Sequence, residues 1–321
     1  MPDTTPYTTA LGRIIPKVLF PLTLAATLAM AAALYNAEVA SPEIIAAGLT
    51  LIAGFWIWLW EYLAPYREHW NDSDDDFRTN VIHLLVSGGI SNIVKPLYIL
   101  LLFPVVTFLG EQFGHGHLWP HQWPVVLQLA LMLVLCEFNR YWIHRWSHQY
   151  ALLWRFHAVH HSPNRLYWWN AGRFHPVERF YLQFAELLFF ILLQPSEEVL
   201  MLYLITNSVH GFFQHANIRT NIGWLNYVFA MTELHRWHHS ATIRHSNSNY
   251  GNNLIIWDAL FGTRCLPEQP QDIENMGLGK HEAAFPQTWR QHLLVPLRWK
   301  SMEKETAESA TVENIPNVEP G

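Results

Sequence analysis

Charge is scarce in this chain. Only 14% of its 321 residues are charged, against roughly a quarter in soluble domains, and half are hydrophobic. That deficit argues against a water-soluble two-domain enzyme and for one membrane-embedded body with a polar lobe. A basic surplus is also missing. The formal net charge is −6, and residues 301–321 contribute −4 of it, from five glutamates against Lys304. The rest is close to neutral and carries no electrostatic footprint for nucleic acid. Cysteine is nearly absent: Cys136 and Cys265 make neither a disulfide framework nor a cysteine-rich zinc site.

Long apolar runs are plentiful. Residues 18–35 are just long enough to span a bilayer, with a cleaved signal peptide as the rival reading because Ala31, Ala33 and Ala37 resemble a cleavage region. Residues 44–62 end in Trp56, Trp58, Trp60 and Tyr62, the aromatic signature of a membrane–water interface. Residues 81–109 are interrupted by Gly88-Gly89 and Lys95-Pro96 and read as one kinked span or as two helices. Residues 124–141 form the next run, and 180–193 with 199–213 read as a helical hairpin that enters the bilayer and returns. The loops 36–43, 110–123 and 194–198 hold no Lys or Arg, whereas Arg13, Lys17, Arg67, Arg78, Arg140, Arg145, Arg155, Arg179 and Arg219 lie on the opposite side. That asymmetry predicts which side is cytoplasmic, and a single crossing by 81–109 places the histidine motifs there.

Histidine is the abundant residue: there are 19, and twelve lie between His144 and His245. His144 and His148 in HRWSH stand at i and i+4, on one helix face. His157, His160 and His161 in HAVHH, and His235, His238 and His239 in HRWHH, repeat an i, i+3, i+4 pattern. His210 and His215 fall between them. At this histidine frequency chance gives about 0.07 copies of HxxHH, and the chain has two, so the pattern points to metal binding. Neutral imidazole binds borderline metals through one ring nitrogen while the other donates to a supporting acceptor. Ten candidate ligands, His144, His148, His157, His160, His161, His210, His215, His235, His238 and His239, exceed what one ion uses, so two metals are expected. A nitrogen-only donor set suits iron, copper, nickel or zinc rather than magnesium or calcium.

The series HRWSH, HAVHHS, RFHP, FQHAN, ELHRWHHS, NYG and WDALFGT, spread over residues 135–264, resembles the membrane-bound fatty acid hydroxylase and sterol desaturase superfamily. The resemblance implies an all-α integral membrane helical bundle with a cytoplasm-facing, histidine-rich di-metal lobe. It implies two iron ions that activate O2 to hydroxylate or desaturate a fatty acyl, sterol or related lipid. Electrons are expected from a separate transfer protein of ferredoxin, cytochrome b5 or flavin reductase type, since no haem or flavin module is visible. The expected organisation is N-terminal membrane helices over 1–78, a catalytic domain over 79–300 and a disordered acidic tail over 301–321. Without a dilysine or KDEL-type signal, a bacterial inner membrane is favoured over the endoplasmic reticulum.

Other readings compete. A metal transporter or sensor would place ligands near the bilayer midplane or in low-complexity loops, whereas these follow the spans in helix-spaced sets. Catalytic zinc in a hydrolase needs three protein ligands and an open position, not ten. His175 in RFHPVE and Asp258 in WDALFGT are expected to support ligand histidines from behind, with a turn or helix cap as the plainer role for Asp258. His245 reads as a solvated loop residue, and Tyr167, Trp168 and Trp169 as an interfacial belt. His115, His117 and His121 fall on the far side, and His69, His83, His281 and His292 have no partner by spacing.

Overall fold

The computed structural model describes residues 10–72, 76–113, 119–267, 273, 275–282 and 284–313. Among them the chain is helical throughout, with three isolated β-bridges and no sheet. Helix α1 spans Ala10–Asn36 and α2 Pro42–Leu63, where Pro42 occupies the first helical position and needs no donor there. Helix α3, Phe77–Phe113, runs unbroken through Pro96 and Pro104, so the segment expected either as one kinked span or as two helices is a single helix. Helix α4, Val125–Gln149, is followed after Tyr150 by α5, Ala151–His161. Then come α6, Pro176–Leu193, and α7, Glu197–His215. Gln194 in a left-handed conformation (φ 51°) ends α6, and the Ser196 hydroxyl accepts from Val199 N at 3.3 Å to start α7. Shorter helices close the chain: α8 Thr232–His238, α9 Ile243–Ser246, α10 Ile256–Phe261, α11 Trp289–His292 and α12 Val295–Glu313.

Among the described residues, three helices are long and apolar enough to cross a membrane: Gly12–Asn36, Pro42–Leu63 and Val125–Gln149. Their outward faces are apolar, with Leu51, Ile52 and Phe55 of α2 each about two-thirds exposed, an arrangement that suits lipid rather than water. Helix α7 sits at the centre and packs on α1, α2, α4 and α8, while α3 packs on α6. The shared core, with Phe20, Ile57, Met132, Tyr203, Val209 and Phe213 buried, joins α1 and α2 to the histidine-bearing helices in one body.

Two buried carboxylates clamp loops onto this bundle. Glu61 of α2 accepts from the backbone N–H of Trp168 (2.8 Å) and Asn217 (2.9 Å). Glu137 of α4 accepts from Asn252, Asn253 and Leu254 N–H at 2.5, 2.7 and 3.1 Å. Each satisfies backbone donors that a loop at this depth leaves without a helical partner.

Two sequence readings are corrected. The tail expected to be disordered from residue 301 continues α12 as helix through Glu313; residues 314–321 lie outside the described set. Trp299 and Met302 are buried against Ala158 and Val159 of α5, and the Trp299 indole donates to Glu303 at 2.9 Å. These contacts anchor a stretch of strong helix formers. Tyr167 and Trp168 are not an interfacial belt: both are buried, and the Tyr167 hydroxyl donates to Asp76 at 3.0 Å.

Candidate metal centre

Nine of the ten expected ligands converge in two groups. His144 and His148 of α4, His157 and His161 of α5 and His238 of α8 form one; His160 of α5, His215 of α7, His235 of α8 and His239 just after it form the other. Within each group the candidate ligand atoms all lie within 4.8 Å of one another. Each HxxHH motif therefore divides between the centres. His157 and His161, one helical turn apart, serve the first and His160 the second; His235 and His239 serve the second and His238 the first. Residues i+3 and i+4 are about 100° apart around a helix, so one short helix contributes to two adjacent groups.

Backbone carbonyls fix the tautomers. His144 Nδ1 lies 2.7 Å from Tyr250 O, His238 Nδ1 2.7 Å from Ser248 O, His160 Nδ1 3.2 Å from Arg173 O and His215 Nδ1 2.9 Å from Gly211 O. A carbonyl only accepts, so each Nδ1 carries the proton and each Nε2 presents a lone pair inward. Those inner nitrogens crowd together: His157 Nε2 is 3.1 Å from Nε2 of His144, His148 and His161, and His235 Nε2 is 3.1 and 3.0 Å from those of His215 and His239. Lone pairs at that spacing repel unless a cation lies among them. The donor set fits a pair of borderline metal ions, and imidazole alone supplies it.

Burial keeps the ligands neutral. Desolvation, then neighbouring histidines, hold His157, His160, His161, His235 and His239 well below the usual imidazole range. Desolvation likewise brings His238 and His215 down to about 4.

His210 belongs to neither group. It is fully buried on α7 with its ring 5.3 Å from Phe20 and 6.1 Å from Phe229, because its position, five residues before His215, faces α1 rather than α5 and α8. His175 touches no ligand histidine either: its Nδ1 accepts from Val177 N at 3.1 Å as the N-cap of α6, and its Nε2 faces Leu293 O at 3.4 Å. Asp258 accepts from the N–H groups of Tyr250 and Gly251, both at 2.8 Å, and from the Thr263 hydroxyl at 2.7 Å. It thus fixes the loop whose Tyr250 carbonyl holds His144, one step further from the centre than expected. His245 is partly exposed, edge-on to Trp237 at 4.7 Å, and outside both groups. His115 and His117 lie outside the described residues.

The sequence reading missed Glu178. Its Oε1 is 2.5 Å from His157 Nδ1, the carboxylate–histidine arrangement that orients a metal ligand and raises its basicity. It stands in the first turn of α6, three residues after His175. Glu178 also lines a cavity of about 30 Å³ together with Arg140, His144, His157, His160 and His215, room for one or two water-sized molecules. His83 was missed as well. Its Nε2 lies 2.9 Å from His292 Nδ1, an interaction between α3 and α11 that no local spacing encodes.

A family model described as fatty acid hydroxylase matches residues 129–263, which span both groups. The ornithine lipid hydroxylase OlsE of Rhizobium tropici is 35% identical over 71% of this chain and 69% of its own length. The chain belongs to the fatty acid hydroxylase family. More distant family relatives include the alkylglycerol monooxygenase of Xenopus tropicalis, 26% identical over 58% of this chain and 42% of that protein. The very-long-chain aldehyde decarbonylase GL1-11 of Oryza sativa subsp. indica is 27% identical over 56% of this chain and 67% of that protein. No solved structure matches the chain. As a fatty acid hydroxylase family member with apolar spanning-length helices, it is a membrane protein related to lipid-oxidising enzymes.

Proposed function

We propose that this protein is an O2-dependent membrane lipid hydroxylase that uses two iron ions, one in each histidine group, and receives electrons from a separate transfer protein. The observation that carries the reading is the division of the nine histidines into two adjacent, neutral, nitrogen-only groups. Bound iron would supply the oxidising power for attack on a C–H bond. The protein supplies everything else. The five- and four-histidine sets hold the ions, the carbonyls of Tyr250, Ser248, Arg173 and Gly211 fix ring orientation, and Glu178 supports His157. The small cavity beside Arg140 and Glu178 restricts water near the reacting group.

Hydroxylation is preferred to desaturation because the Rhizobium tropici relative, which covers 71% of this chain at 35% identity, is named a hydroxylase, and the Xenopus tropicalis relative a monooxygenase. The proposed substrate is an aminoacyl membrane lipid of the ornithine lipid type, a reading supported by the similarity to the Rhizobium tropici protein. The basic residues around the histidine lobe support a cytoplasm-facing centre in a bacterial inner membrane. A metal transporter is the second reading, and the buried, carbonyl-fixed ligands disfavour it because cargo must leave.

The deciding experiment compares lipid extracts of cells with and without the gene, and then supplies ornithine lipid and phosphatidylethanolamine to the purified, iron-loaded protein with O2 and a reductase. A gain of one oxygen atom in ornithine lipid, absent without the gene and without iron, is expected. Loss of two hydrogens without added oxygen, or no change in any lipid, would overturn the assignment.

A further inference from the structure

A line of oxidisable rings leads from the five-histidine group to the protein surface. The Tyr250 ring centroid lies 5.3 Å from that of His148 and 5.7 Å from that of His144. Tyr141 follows at 6.0 Å, Trp142 at 5.4 Å from Tyr141, and Trp146 at 5.9 Å from Trp142. Tyr250 and Tyr141 are buried, whereas Trp146 is 41% exposed. An interfacial belt accounts for Trp142 and Trp146. It does not account for two buried tyrosines that continue the same line to the metal ligands.

The Arg145 guanidinium stands 6.0 and 5.5 Å from the Tyr141 and Trp142 ring centroids and opposes positive charge there, so oxidation of Tyr141 needs an exit for its phenolic proton. Arg145 Nη1 donates to Tyr141 Oη at 2.9 Å, and the Thr263 hydroxyl donates to Asp258 at 2.7 Å. In the 3.0 Å contact between Tyr141 Oη and Thr263 Oγ1, the phenol is therefore the donor. Phenol oxidation requires loss of the phenolic proton. Here that proton can pass to Thr263 Oγ1 while the threonine proton passes to the Asp258 carboxylate, with return along the same two bonds.

We propose that Tyr250, Tyr141, Trp142 and Trp146 form an electron path that removes oxidising equivalents from the five-histidine centre when no lipid is bound, and so protects its ligands. This rests on the O2-dependent reading above. One electron would move inward from Tyr141 to the ion that the five histidines would hold, with the Tyr250 ring bridging the gap without itself losing an electron or its proton, and the electron vacancy would pass outward through Trp142 to Trp146. The Trp146 indole radical cation releases its Nε1 proton to water. A soluble one-electron reductant, a thiol or ascorbate, then returns the electron and water returns the proton. Trp154 is the rival terminus, half-buried with its ring 5.2 Å from His148 and 5.5 Å from His161.

Two measurements test the path. The iron-loaded protein is cycled with O2 and ascorbate without lipid, and oxidised residues are mapped by peptide mass spectrometry in the wild type, Trp146→Phe and Tyr141→Phe. Oxidation is expected mainly at Trp146 and Trp142 in the wild type. Both variants should shift it to His144, His148 and Tyr250 and lose iron several-fold faster per O2 consumed. Oxidation at Trp154 with Trp146 and Trp142 intact would overturn the proposal, as would variants that match the wild type. Independently of iron, flash photo-oxidation of the metal-free protein by a soluble ruthenium tris-bipyridine complex, with a cobalt(III) ammine as irreversible electron acceptor, should give a Tyr141 radical, read as the part of the tyrosyl signal that Tyr141→Phe removes from the background of exposed tyrosines such as Tyr150 and Tyr227. Trp146→Phe should reduce that component several-fold, and an undiminished Tyr141 component in Trp146→Phe would also overturn the path. If this signal behaves as expected while the iron-loaded protein oxidises no lipid, the failure lies with the assigned reaction and not with the path.

Discussion

Glu178 shows how one side chain outside the motifs governs a ligand within them. Its carboxylate holds His157, the imidazole whose Nε2 meets three others. Glu178→Gln retains a side chain of similar size but lowers the basicity of His157. Metal affinity or turnover should fall 10- to 100-fold, roughly the loss found when such supporting partners are removed, as read from metal titration of the purified variant. An unchanged affinity would make the contact incidental. His292 gives the pH dependence. Desolvation, with Arg173 and His83 nearby, lowers its pKa to about 2, so between pH 6.5 and 2 the unfolded chain binds a proton that the folded chain refuses. Stability should therefore fall as the solution is acidified through this window. His292→Gln, which does not titrate, should flatten the slope by up to ~1.4 kcal/mol per pH unit, measured as denaturation midpoints of the protein in micelles. An unaltered slope would show that His292 is protonated in the folded state. Eight of the nine grouped histidines were legible residue by residue, because HxxxH and HxxHH are local patterns; His215 lies in neither. Glu178 and the His83–His292 pair were not, because tertiary packing brings their partners together.

At the scale of elements, the loop of Asn249, Tyr250 and Gly251 links α4 to α10 and to the first histidine group. Asn249 adopts φ 54°, a left-handed conformation that asparagine tolerates. A Cβ on Gly251 would stand 2.4 Å from Leu254 O and 3.2 Å from Asp258 Oδ2. Gly251→Ala must displace the loop, and with it the Tyr250 carbonyl that holds His144. A destabilisation of about 1–3 kcal/mol is expected, with metal lost from the five-histidine group before the four-histidine group. Equal loss from both would contradict the role assigned to this loop. Apolar runs revealed most of the helices, since length and hydropathy are local properties. They left open the continuity of α3 through Pro96 and Pro104, because a proline marks a possible break or kink without saying whether the helix resumes beyond it. Nor did composition reveal α12 beyond residue 300, where Trp299 and Met302 anchor polar helix formers. His210 was misread for the same reason: spacing along α7 does not say which neighbour a helix face meets.

For the whole molecule, the charge asymmetry of the loops makes orientation testable. A reporter inserted beside His121 and one fused after Arg264 should report opposite sides of the membrane, the second cytoplasmic; the same side for both would contradict the proposed topology. The architecture ties membrane helices, clamped loops and histidine groups into one core, so the metals should stabilise the fold as a whole. Whether two irons are held separately by five and four histidines is decided by iron per chain in protein purified anaerobically from iron-replete cells, with His161→Ala and His239→Ala purified alongside. Two irons are expected in the wild type, with His161→Ala depleting mainly the five-histidine site and His239→Ala mainly the four-histidine site, resolved as different Mössbauer components. A wild type that holds one iron, or variants that keep the full complement at both sites, would contradict that separation.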